Sequence, residues 1–130
     1  MKSLLSVISL VVISTLTFYS GNSLSATPSP DQQVISQLAS VGSDLSKPHQ
    51  IVFFLYFPAK ENAKRIAAKL NKEGFATSVG KSLSSHEYVT QARKTMVPEL
   101  SALTALRERF NTLAASESGY YDGWGAEVAR

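Results

Sequence analysis

The chain has 130 residues, 44% hydrophobic and 18% charged, with 13 Lys plus Arg against 10 Asp plus Glu and no cysteine. That length supports one hydrophobic core and leaves no room for two domains. A formal charge of +3 is too small for the electrostatic footprint of a nucleic-acid-binding domain, and the lack of cysteine excludes a disulfide framework, a lipoprotein anchor and thiol chemistry.

In residues 1–26, Lys2 precedes an uncharged run from Leu4 to Tyr19, which gives way to small and polar residues ending Ser23-Leu24-Ser25-Ala26. This is the order of a secretory signal peptide. The run is shorter than the ~20 residues of a membrane-spanning helix, so the expectation is a cleaved leader and a periplasmic or secreted protein. An uncleaved leader would instead anchor the chain in the inner membrane. Losing Lys2 with the leader leaves 12 basic and 10 acidic residues, a net charge of +2.

Residues 27–30, Thr-Pro-Ser-Pro, read as an exposed spacer, because two prolines disfavour both helix and paired strand. The folded domain is then 31–130. A first helix opens at Pro30 or Asp31 and runs to about Val41, with Val34, Ile35, Leu38 and Val41 on one stripe and Gly42 as its stop. Residues 43–49 form a loop. Residues 50–57, Gln-Ile-Val-Phe-Phe-Leu-Tyr-Phe, are apolar at both parities, the pattern of a central strand covered on both faces.

Pro58 breaks that strand. Residues 59–73 follow as a helix with Ala63, Ile66, Ala67 and Leu70 at helical spacing and Gly74 as a left-handed stop. Strands are predicted over 75–79 and 86–96, with a hairpin loop over 80–85. Pro98 suits the first turn of a helix over 99–116, whose apolar face carries Leu103, Leu106, Phe110, Leu113 and Ala114. The last strand, 120–128, is predicted to be interrupted by a turn at Asp122-Gly123, since that pair readily supplies positive φ. The order is helix, then β-α-β-β-α-β. It specifies an α+β, ferredoxin-like split βαβ sandwich: four antiparallel strands, two crossover helices on one face and an extra N-terminal helix.

Catalytic patterns are sparse. His49 and His86 stand 37 positions apart without a neighbouring ligand, so no metal site is expected, and each reads as a surface or turn residue. No Gly-x-Ser-x-Gly elbow is present, and Val79-Gly80-Lys81-Ser82 lacks the upstream glycine of a phosphate loop. A small envelope hydrolase using Asp122 with His86 is the weakest of the functional classes considered. Lys60, Lys64, Arg65, Lys69 and Lys72 load the second helix with positive charge, which reads first as a solvated face and second as a surface for RNA or anionic lipid. Phe54, Tyr56 and Tyr88 could imitate the aromatic platform of an RNA-binding sheet, but the accompanying motif is missing and core packing explains them better.

The densest signal is Tyr120-Tyr121-Asp122-Gly123-Trp124-Gly125, with the only tryptophan. Trp124 is expected to pack over the sheet edge or a helix end while Asp122 accepts backbone hydrogen bonds, and Tyr121, Asp122, Gly123, Trp124 and Gly125 are the candidate protein contacts. Together with Gly42-Ser43-Asp44-Leu45, Lys47-Pro48-His49 and Met96-Val97-Pro98, this ending resembles the RraB family, regulators of ribonuclease E activity, from about Asp31 to Val128. The resemblance implies a non-catalytic domain that binds ribonuclease E and reduces its cleavage of RNA, without a cofactor. An exported chain would not meet that cytoplasmic enzyme, which leaves its natural partner open.

Overall fold

The computed structural model describes residues 12–13 and 27–130; the predicted leader, those two residues apart, lies outside the described residues. The elements are β1 (Val12–Ile13), α1 (Pro30–Ser40), β2 (His49–Phe57), α2 (Lys60–Lys72), β3 (Ala76–Lys81), β4 (Tyr88–Met96), α3 (Leu100–Ala115) and β5 (Tyr120–Ala126). The sheet order is β1-β5-β2-β4-β3 with every neighbouring pair antiparallel. Without the two-residue β1, this is the four-stranded split βαβ sheet, in which α2 and α3 are the crossovers.

Helix α1 opens at Pro30, as the sequence allowed, and its cap reaches one residue further back into the predicted spacer. The Ser29 hydroxyl accepts the Gln32 N–H at 3.1 Å, and Pro30 sits in the first turn, where its missing N–H is no loss. Ser29 and Pro30 therefore belong to the folded helix. The extra N-terminal helix lies along the β1–β5 edge of the sheet: α1 packs against α3, β1 and β5.

The core lies between this helical layer and the sheet. Ile51, Phe53, Leu55 and Phe57 of β2, Ala63, Ile66 and Leu70 of α2, Leu103, Phe110 and Ala114 of α3, and Trp124 of β5 are all buried. Edge-to-face contacts join Phe53 to Phe110 (5.1 Å between centroids), Phe75 to Phe110 (5.7 Å) and Phe53 to Phe75 (6.0 Å), geometries that aromatic quadrupoles favour. Thr90 Oγ1 donates to the Ala63 carbonyl at 2.9 Å, fastening α2 to β4.

The expectation that β2 is covered on both faces is not met. Its burial alternates, with Ile51, Phe53, Leu55 and Phe57 buried and Val52, Phe54 and Tyr56 only partly so. Among the described residues no helix covers the second face. The apolar side chains there shield one another laterally instead of lying under a third layer, which is why the sequence of β2 imitates a fully enclosed strand.

One buried ionic cluster ties the helical layer to β5. Asp31, 1% exposed in the first turn of α1, accepts two bonds from Arg107 of α3, Nε at 2.9 Å and Nη2 at 2.8 Å. It also accepts Trp124 Nε1–H at 3.0 Å. The guanidinium in turn lies over the Tyr121 ring, 5.3 Å from its centroid. Asp31→Ala would strand a partly buried guanidinium and a buried indole N–H, a loss on the order of 3–5 kcal/mol. Urea denaturation followed by emission of the single tryptophan measures it; a loss within the range of ordinary surface substitutions would contradict the role given to Asp31.

Candidate functional site

Tyr121 and Trp124 both face the helices, although three positions separate them. A regular strand alternates every two residues, so it cannot do this. The register resolves the conflict: Phe54 pairs with Gly123 and Leu55 with Tyr121, leaving Asp122 as an extra, unpaired residue. This is a β-bulge, and Gly123 adopts φ +104° within it, a value that a side chain strongly disfavours. The Asp-Gly pair thus supplies the positive φ read from the sequence, but as a bulge inside a continuous strand; the predicted interrupting turn is corrected. Tyr121 packs on Phe110 (5.3 Å) and Trp124 is fully buried.

The opposite side of the bulge belongs to the open sheet face. Here Tyr120 of β5 stacks on Tyr56 of β2, with centroids 5.4 Å apart and planes 11° from parallel. Tyr120 Oη donates to Glu87 Oε1 at 3.0 Å. Phe54, Tyr56 and Val89 continue the apolar surface into a groove of about 440 Å³ beneath the β3–β4 hairpin, whose tip carries the fully exposed Leu83. Backbone at this end is closely fitted: a Cβ at Gly119 would run into the Tyr56 carbonyl oxygen and the Phe57 ring.

The charges beside the stacked rings are the acids Glu87 and Asp122, while Lys81 lines the groove under the hairpin. Partial burial, then the nearby Glu87, pushes the Asp122 carboxyl above its ordinary value. Burial followed by the bond to Glu87 pushes the Tyr120 phenol up to about 12, and burial followed by Asp122 raises that of Tyr56. These rings are therefore neutral hydrogen-bonding platforms at physiological pH, flanked by two carboxylates.

The candidates from the sequence are divided by the fold. Tyr121 and Trp124 lie in the core, Gly123 and Gly125 are backbone positions of the bulged strand, and Asp122 is exposed on the open face. Asp122 has no side-chain hydrogen bond among those described, so the predicted backbone bonds to it do not form. Lys60, Lys64, Arg65, Lys69 and Lys72 are all exposed on α2. Arg65 is engaged by Glu117 at 2.9 Å, whose carboxyl is lowered chiefly by that bond and by one from Asn62. Of the aromatic residues considered for an RNA platform, Phe54 and Tyr56 face outward while Tyr88 packs against the core. Glu87 and Leu83 went unnoticed in the sequence, where only the hairpin spacing that brings them over β2 could have flagged them.

His86 is exposed in the hairpin loop and not at a strand start. His49, read as a surface or turn residue, is 2% exposed at the start of β2. Its Nδ1–H donates to the Lys47 carbonyl at 2.8 Å, and Nε2 lies 2.6 Å from the Ser43 hydroxyl, which also reaches the Ala129 carbonyl at 3.3 Å. The pair has the atoms of a nucleophile and base, yet Ser43 Oγ also accepts the Ala129 N–H at 2.9 Å. Asp44 N–H donates to the Ala129 carbonyl at 2.6 Å and Lys47 Nζ to the Arg130 carbonyl at 2.6 Å. The arrangement clamps the chain's last residues to the α1–β2 loop, which accounts for the Gly-Ser-Asp-Leu and Lys-Pro-His segments structurally.

A raised carboxyl on Asp122 favours the folded state while it is protonated and opposes it once ionised. Asp122→Asn is thus expected to raise Tm slightly at neutral pH, with the gain vanishing as pH falls through the ordinary aspartate value of 3.8. Thermal melts across pH check this; a lowered Tm at neutral pH would mean that the carboxylate is stabilising.

A comparison with curated proteins found no match. A family model described as Regulator of ribonuclease activity B matches residues 29–126, from the Ser29 cap of α1 to the last residue of β5.

Proposed function

Because the chain belongs to the family of regulators of ribonuclease activity B, we infer that it acts by binding a ribonuclease and restraining it stoichiometrically, with no chemistry of its own. The match from the Ser29 cap to the last residue of β5 is the observation that carries this reading. Its support in the fold is an open sheet face bearing Phe54, Tyr56 and Tyr120, an apolar and aromatic composition of the kind that anchors interfaces. Asp122 and His86 share no hydrogen bond among the described residues, which gives the hydrolase reading nothing to build on.

The partner depends on compartment. A chain retained in the cytoplasm with Met1 intact would meet ribonuclease E; a chain cleaved near Ala26 would act on an exported protein. The charge and hydropathy order of residues 1–26 supports export to the periplasm. Lys60, Lys64, Lys69 and Lys72, exposed and outside the described ion pairs, support a second reading as a binder of RNA or anionic lipid, for which affinity would fall steeply with salt.

Two measurements test these readings. Adding the purified protein to ribonuclease E and an RNA substrate should reduce cleavage in proportion to the amount added, up to a fixed ratio; unchanged cleavage at saturating protein would refute inhibition of that enzyme. Fractionation with mass measurement of the N-terminus should give a periplasmic species beginning near Ala26 or Thr27, and an intact cytoplasmic Met1 would overturn export.

A further inference from the structure

We propose that the open sheet face around Tyr56, Tyr120, Glu87 and Asp122 is the partner-contact surface, and that its occupant is a protein segment which lays an arginine against the two tyrosine rings. This deepens the protein-binding reading above and rests on it for the partner's being a protein.

Charge complementarity selects the occupant. The Tyr56–Tyr120 stack offers two parallel rings whose exposed π-faces attract a planar cation. Glu87 already accepts from Tyr120 at 3.0 Å and keeps a second carboxylate oxygen for an incoming donor. Asp122 stands beside the same rings because the bulge turns it outward. Elsewhere in the fold three carboxylates have guanidinium partners: Asp31 with Arg107, Glu117 with Arg65, Glu73 with Arg109. Among the described residues, no ion pair reaches Glu87 or Asp122. A guanidinium at this point would satisfy both acids in forked geometry and stack on a ring at once, a combination that an ammonium group does not match.

The same charges decide against a nucleic acid on this face. Bases can stack on aromatic platforms, but here the phosphates would be brought up to two carboxylates. Phe54, Val89 and the exposed Leu83 extend the surface into a groove whose walls also carry Ser78, Lys81, Ser82 and Gln91, which fits the mixed polar and hydrophobic side chains flanking an arginine in a protein segment. A surface of this kind, with an aromatic centre and a charged rim, has the anatomy of a protein interface.

The test uses the full chain as cells process it, with nona-arginine, nona-lysine and oligouridylate as probes. Backbone and side-chain NMR shifts should move at Tyr56, Tyr120, Glu87 and Asp122 with nona-arginine, less with nona-lysine. The double charge reversal Glu87→Lys with Asp122→Lys should weaken nona-arginine binding at least about tenfold, the scale of losing a central charged contact. Glu108→Lys, at an exposed position of α3, should change it less than about twofold, as expected of a charge away from the contact. The buried Trp124 emission verifies that each variant is folded. Shifts confined to other surfaces, equal binding by the double variant, or oligouridylate displacing nona-arginine from these tyrosines would overturn the proposal. Ribonuclease E inhibition by the unaltered chain is read separately: its absence removes that enzyme as partner while leaving the arginine site to stand or fall on the probes.

Discussion

Asp31 is the constraint on which the rest of the structure depends. A carboxylate 1% exposed is costly unless every charge and lone pair is answered, and here it accepts both donors of one edge of Arg107 and the indole N–H of Trp124. It sits in the first turn of α1, where the helix dipole also favours negative charge. Because its three donors come from α3 and β5, the ion fixes how α1, α3 and the last strand meet. A hydrophobic trio of equal volume could fill the space but would not specify that relation.

From that anchor the bulge follows. Trp124 must point inward to reach Asp31, and Tyr121 must point inward to lie beneath Arg107 and beside Phe110. Only an extra residue between them lets both do so, and Gly123 supplies the backbone conformation. The consequence is on the other side: Asp122 is turned out beside Tyr120, Tyr56 and Glu87 at the price of a carboxyl held above its ordinary range. One strand thus bears two chemistries, a hydrogen-bonded inner side that fixes the fold and an acidic, aromatic outer side that has no partner within the described residues. Perturbed ionisation of this kind clusters at functional sites.

Much of the architecture was legible because it rests on local signals. Helix periodicity around Ala63, Ile66 and Leu70, the breaks at Pro58 and Pro98 and the glycine stops located the elements to within a few residues. The tertiary facts were not local. His49 is buried because Ser43 and the C-terminal residues close over it, through a contact 86 residues distant in sequence and beyond any periodicity. Phe54 and Tyr56 looked like core residues because a strand with apolar side chains at both parities reads alike whether its second face is covered by helices or by neighbouring side chains. The bulge was hidden for a related reason: Asp-Gly signals positive φ, but turn and bulge need the same φ, and only the pairing with β2 separates them. The surface was therefore visible as a motif and misplaced as a site, with Trp124 prominent in composition and inaccessible in space.

The central claim is that the outer side of β5 and β2 receives the partner while the basic face of α2 does not. Amide hydrogen exchange of the chain with and without saturating ribonuclease E tests this most directly, since protection on complex formation reports the covered backbone. Slowed exchange confined to β2, β5 and the β3–β4 hairpin, with residues 60–72 unchanged, is the predicted footprint. Protection of α2 with the sheet unaltered would contradict it.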